Sequence, residues 1–317
     1  MKPAYSVILL TTLIGTAQGL VLALVGVEIA ALASTLPIEP LRPFLVAGAA
    51  VAVALAMLGL LASFFHLGHP ERAWRAAASW RTSWLSREVI ALPLFIALAA
   101  GYGLDHYAAG RSTVIVGIAA ATASMALFVC TGMVYAAVRV IREWASPLTV
   151  ANYTLLGSAS GMTLAAATAA YGAPDHAISL ARLALLLTVA GAAGRIAALD
   201  RNARLARQPK STPQSAIGIR HPRIVQTSQG AMGGSFGTRE FHHGASDSAM
   251  KAVQWTMLAG AFAIPAALLA IALARNDGIA TPLAAAFAIQ YAGLLAERWF
   301  FFAQARHPQN IYHGHRV

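Results

Sequence analysis

The chain has 317 residues, 58% of them hydrophobic and 11% charged, with a mean hydropathy of +0.62. Soluble domains carry about 25% charged residues, so a water-soluble fold is excluded. The formal net charge of +11 does not mark a nucleic-acid binder: the cations flank apolar segments, where they set topology and meet anionic membrane lipid or a partner protein.

Crossing about 30 Å of hydrocarbon takes roughly 20 apolar residues. In chain order the pattern predicts eight such helices: Tyr5 to Ser34, Pro43 to His66, Ser86 to Leu104, Ser112 to Val140, Pro147 to Tyr171, Ala177 to Ala198, Ala252 to Ala274 and Gly278 to Ala303. The first is longer than a signal-peptide core of roughly 7–15 residues and is read as retained, despite "ALAS" at 31–34. Ser86 is the expected N-cap of the third. Helices four to six are rich in Gly and Ala ("GSASGMTLAAATAA"), which favours backbone-to-backbone packing in lipid. The expected fold is an all-α integral membrane protein, one domain over 1–317, with a long cytoplasmic loop at 199–250 between helices six and seven.

Of the 23 Lys and Arg residues, only Arg42, Arg111, Arg182 and Arg275 fall on one side of the predicted spans. The bias survives discarding those around the long loop, so both termini are expected in the cytoplasm of a bacterial inner membrane. The loop is basic at first ("LDRNARLARQPK") and then rich in Gly, Ser and Thr. Loops of this length are functional or disordered. One reading is a flexible loop lying on the lipid headgroups; the expected one is that it orders on a cytoplasmic partner through Arg201, Arg204, Arg220, Arg223 and Arg239.

The densest polar constellation is "SFFHLGHPERAWRAAASWRTSWLSREV", with His66, His69, Glu71, Arg72, Arg75, Trp84 and Glu88. His66 ends one span and Glu88 opens the next on the same face, so a hairpin can bring both to one pocket. Quinone chemistry suits such a place: it moves two electrons and two protons between a lipid-dissolved ring and water. Imidazole titrates near neutrality and a partly buried carboxylate can pass a proton on. Against this stands a plainer reading, in which Glu88 complements its helix dipole and His66 is interfacial.

Gln18, Glu28, Arg195, Gln254, Gln290, Glu297 and Arg298 also lie within spans, where polar groups need partners. Gln18 is mid-membrane, expected to bond a neighbouring helix and grouped with the quinone-site residues. Glu28 reads as interfacial. Arg298 reaches either a quinone oxygen or a carboxylate, or snorkels to headgroups. No haem is expected, since no two histidines sit on facing helices at one depth. No metal is expected either: "FHH" and "HGH" lack a closed ligand pattern. The single cysteine, Cys130, excludes a cluster held by this chain.

"FHLGHPERAWRA" followed by "SWLSREV", with the near-terminal "ERWFFFA", resembles the membrane anchor subunits of dimethyl sulfoxide reductase-type molybdoenzymes. The resemblance implies a complex with a molybdopterin catalytic subunit and an iron–sulfur subunit, and an anchor that exchanges electrons with ubiquinone or menaquinone without haem. Its quinone-associated histidine and acid fall on His66 and Glu88, and its last-helix arginine on Arg298. The sequence departs from the pattern at Glu297, often Gly there, and in "MGGSFGTREFHHG". That loop looks more like the anchors of the sulfite-oxidising branch, which implies sulfite:quinone oxidoreduction. A quinol-oxidising anchor of the reductase type is the alternative, and a small-solute transporter is a rival of another class. Transporters have broken midplane helices and repeated halves, and the sequence displays neither. By itself the chain is expected to perform no substrate chemistry.

Overall fold

The computed structural model describes residues 5–65, 68–108, 114–206, 213–219, 221, 224, 245–275 and 277–306, and all regular structure among them is helical. The long elements are α1 (Tyr5–Ala33), α2 (Arg42–Phe64), α3 (Trp84–Ala108), α4 (Val114–Ala136), α5 (Pro147–Gly172) and α6 (Pro174–Ala206). After the short α7 (Pro213–Ile217) come α8 (Asp247–Leu258), a π turn (Ala259–Ala263), α9 (Ile264–Ala274) and α10 (Ala280–Ala303). Among the described residues, six helices are long and apolar enough to cross a membrane: α1, α2 with its leading turn, α3, α4, α6 and the α8–α9 run.

Two equally long helices, α5 and α10, are more polar, and burial explains why. α5 packs against α1, α4, α6 and α10. Its Thr149, Asn152, Ser158, Ser160 and Thr163 are all buried. A helix wrapped in other helices meets little lipid and can carry hydroxyls that those neighbours satisfy.

Glycine sets the α1–α5 crossing. Gly15 and Gly19 lie over Gly157 and Gly161, so close that a methyl on Gly161 would collide with the Gly19 backbone and one on Gly19 would lie 2.9 Å from Ser158 Cα. Thr16 and Ser160 share a hydrogen bond of 2.9 Å at this crossing.

Several boundaries differ from the sequence reading, each for a local reason. α3 begins at Trp84, and Ser83 rather than Ser86 caps it, its Oγ accepting from the Ser86 N–H at 3.4 Å. α6 runs on to Ala206, past the predicted Ala198, because six of the eight residues of "LDRNARLA" are Leu, Ala or Arg, good helix formers, and the segment carries an Arg204–Asp200 pair one turn apart. The predicted seventh span is interrupted by the π turn just before Pro265. Proline lacks an N–H and crowds the carbonyl four residues back, and a widened turn relieves both problems.

Candidate functional site

A narrow cleft opens between α1, α3, α4, α5 and α10, towards the bundle end where α1 begins. Its walls include Gln18 of α1, Glu88 of α3, Thr131 of α4, Tyr153 of α5 and Arg298 of α10. Antiparallel packing makes this meeting possible. Glu88 lies one turn into α3 and faces the last turns of α4, where Thr131 Oγ1 donates a 2.6 Å hydrogen bond to Glu88 Oε1. Deeper along α4, Gln18 and Ser124 clasp α1 to α4: the Gln18 amide donates to the Ser124 backbone carbonyl at 2.7 Å, and the Ser124 hydroxyl donates to the Gln18 backbone carbonyl at 3.3 Å. The free volume is about 20 Å³. That suffices for a water molecule, and a ring enters only if lining side chains give way.

Arg298 does not snorkel. It is 4% exposed, and its guanidinium lies over the Tyr153 ring, 3.7 Å from the centroid. Its sequence neighbour Glu297 is the counter-charge: Oε2 sits 3.3 Å from Arg298 Nε, and Oε1 sits 3.0 Å from Arg195 Nε of α6. Around this triad, towards the turn between α4 and α5, Tyr135, Trp144, Tyr153, Phe301 and Phe302 pack as an aromatic cluster. Trp144 Nε1 donates to the Phe301 carbonyl at 3.2 Å. The cleft therefore holds a carboxylate able to carry a proton and a cation able to face an electron-rich oxygen, both enclosed by apolar and aromatic walls.

A family model described as DMSO reductase anchor subunit (DmsC) matches residues 1–229 of the chain. The chain belongs to this DmsC family. It is also similar to a sulfite dehydrogenase subunit of Allochromatium vinosum, with 50% identity over 326 aligned positions that cover 99% of each chain. Gln18 and Glu88 fall within the family match, whereas Arg298 lies in the part covered by the similarity to the Allochromatium vinosum protein.

The other residues singled out in this DmsC-family anchor fall as follows. His66 lies outside the described residues. Arg72 does not line the cleft: it is exposed, 3.6 Å from Glu71, in a 3-10 run over Pro70–Ser79. Arg201 is half-buried, donating to the carbonyls of Arg142 and Ala145 at 3.1 and 3.0 Å and pinning the α4–α5 turn. Arg204 is exposed and paired with Asp200. Arg220, Arg223 and Arg239 lie outside the described residues. Glu28 is not interfacial but fully buried, 3.4 Å from His106 of α3, whose ring meets Tyr102 edge-on. Among the described residues, no three His, Cys, Asp or Glu side chains gather as a metal site.

Arg195, Glu297 and Tyr153 were not expected at the site. Two of them had a signal, namely an ionisable side chain inside an apolar span. Tyr153 had none, since an aromatic residue in a helix is ordinarily packing.

Proposed function

We propose that this anchor is the quinone-reactive subunit of a sulfite:quinone oxidoreductase, passing electrons from a partner's iron–sulfur clusters to membrane ubiquinone or menaquinone. The observation that carries this reading is that Gln18, Glu88 and Arg298, far apart in sequence, line one cleft. The name of the Allochromatium vinosum relative supports sulfite as the substrate of the catalytic partner. Electron flow in the other direction, with quinol oxidised for a reductase, is the second reading, favoured by the family description.

In the proposed topology α5 and α10 join the six apolar helices as spans. With 26 and 24 residues they are about 39 and 36 Å long, enough to cross. All eight spans then form one domain of a multi-pass bacterial inner-membrane protein with both termini cytoplasmic. The cleft faces the cytoplasmic end, where the α6 extension and the 199–250 connection meet the iron–sulfur and molybdopterin subunits.

The lipid-soluble carrier supplies the two-electron, two-proton chemistry, and the side chains supply the rest. Glu88 takes up and gives a proton at its carboxylate, which Thr131 holds in place and favours in the ionised form after the proton has left, and it is reloaded from the cytoplasm by way of His66. Arg298 presents a cation to a ring oxygen. Gln18 and the surrounding Leu10, Ile14 and Leu294 keep bulk water out while yielding to a flat ring. The donor set fits a ring with two oxygens; the small volume means that binding includes a local opening.

The test is carried out on the intact complex in detergent or nanodiscs. Glu88→Gln and Arg298→Ala are expected to reduce electron transfer to a short-chain ubiquinone by about 100-fold or more, as when general acid–base catalysis is removed. Oxidation of the partner's substrate by an artificial dye acceptor should persist. Quinone activity equal to wild type in either variant would sink the proposal.

A further inference from the structure

Glu297 and Arg298 are consecutive on α10, so their side chains leave the helix about 100° apart. One is directed to α6 and the other to α5, yet both end in one buried charge cluster. The Glu297 carboxylate uses both oxygens, Oε1 towards Arg195 Nε at 3.0 Å and Oε2 towards Arg298 Nε at 3.3 Å. Arg195, Glu297 and Arg298 are 2%, 1% and 4% exposed. The Nε edge of Arg298 is therefore held by Glu297, and one flat face is covered by Tyr153 at 3.7 Å. Its orientation is set by two groups: Tyr153, which lines the cleft, and Glu297, which lies behind its wall and is itself paired with Arg195.

We infer that Glu297, clamped by Arg195, is the positioning residue that aims Arg298 into the cleft and sets the cleft's charge balance. This inference rests on the cleft's being the quinone site. Two guanidiniums and one carboxylate leave a surplus positive charge in the triad. Glu88, which lines the same cleft, offsets it when ionised and no longer does so when protonated. An electron-rich ring oxygen is thus stabilised at Arg298 while Glu88 still has a proton to give, and the stabilisation fades once the proton has moved. Preorganised charge of this kind works because nothing needs to reorient as the reaction proceeds. A glycine at position 297 would leave Arg298 with Tyr153 alone and Arg195 without a counter-ion, so Glu297 and Arg195 form one device in this chain.

The experiment compares Glu297→Asp, Glu297→Gln and Arg195→Lys in the assembled complex. The readouts are kcat/KM for a short-chain ubiquinone, dye-linked activity and the thermal midpoint. The expected result is a loss of about tenfold in quinone kcat/KM for Glu297→Asp and Arg195→Lys, and a larger loss for Glu297→Gln, with dye-linked activity retained. Where Glu297→Gln does not assemble, the double variant Arg195→Met/Glu297→Gln removes both charges together and should lose at least tenfold. A mere bolt between α6 and α10 would lower the midpoint and leave quinone kcat/KM of the surviving complex within about twofold, and that outcome overturns the inference. Arg298→Ala is measured in parallel. If it retains full quinone activity, the quinone-site reading falls and takes this one with it; if it loses activity while the Glu297 and Arg195 variants do not, the positioning role alone is wrong.

Discussion

Thr131 and Glu88 meet across the α3–α4 interface in a 2.6 Å hydrogen bond, with the hydroxyl donating and the carboxylate accepting. A hydrogen bond to a charged group contributes about 1.5–3 kcal/mol. Thr131→Val keeps the shape of the side chain but removes the donor. We expect quinone-linked turnover to fall about tenfold with dye-linked activity intact, and Thr131→Ser to retain most of it. Unchanged turnover in Thr131→Val would show that the bond only packs the helices.

The glycine crossing gives a stability prediction with its own control. Gly161→Ala forces a methyl against the Gly19 backbone, whereas a methyl on Gly26 meets nothing within 4 Å. Overpacking costs about 1–3 kcal/mol. Thermal unfolding of the detergent-solubilised anchor should show a clear drop for Gly161→Ala and none for Gly26→Ala.

Glu28 and His106 form a carboxylate–imidazole pair buried at the other end of the bundle. Removing His106 takes away one of the groups that face the Glu28 carboxylate, Tyr102 being another, and leaves a cavity, at a cost of about 2–5 kcal/mol. His106→Ala should therefore destabilise the anchor severely. The double variant Glu28→Gln/His106→Ala should recover part of the loss, and a double-mutant cycle on the thermal midpoint measures the coupling. Additive single effects would argue against the pair.

The two arginines near the end of α6 should separate cleanly. Arg201 bonds two carbonyls of the α4–α5 turn, while Arg204 only pairs with exposed Asp200. Arg204→Ala is expected to change stability by less than about 0.5 kcal/mol, as exposed pairs do. Arg201→Ala, by loosening the turn that carries Trp144, should cost about 1–3 kcal/mol. If both residues also serve docking, each variant will weaken retention of the partner subunits at moderate salt.

How far the sequence was readable depended on the kind of signal involved. Apolar run length located the long helices among the described residues, because lipid imposes one scale on all of them. It missed helix ends, which depend on individual caps such as Ser83 and on whether a polar tail like 199–206 happens to favour helix. Glu88, Gln18 and Arg298 stood out because ionisable or amide groups are rare in spans. The family resemblance and the demands of quinone chemistry group them as one site; spacing alone does not give their convergence, which follows from how five helices pack. Glu28 was misjudged for a related reason: its partner His106 lies on another helix, and linear position alone made the residue look peripheral. Arg72 shares a motif with His66 and Glu88, yet its side chain turns outward to Glu71.

α5 owes its place to company. Its hydroxyls and glycines are matched by α1, α4, α6 and α10, and without them the helix is poorly suited to rest alone among acyl chains. During synthesis α1 and α4 leave the ribosome before it, and α6 and α10 after it. In the proposed topology the insertion machinery would hand α5 to helices already in the bilayer rather than release it into lipid. A bulky residue at Gly19 would then act at birth, lowering the amount of anchor that reaches the membrane more than it impairs the molecules that do.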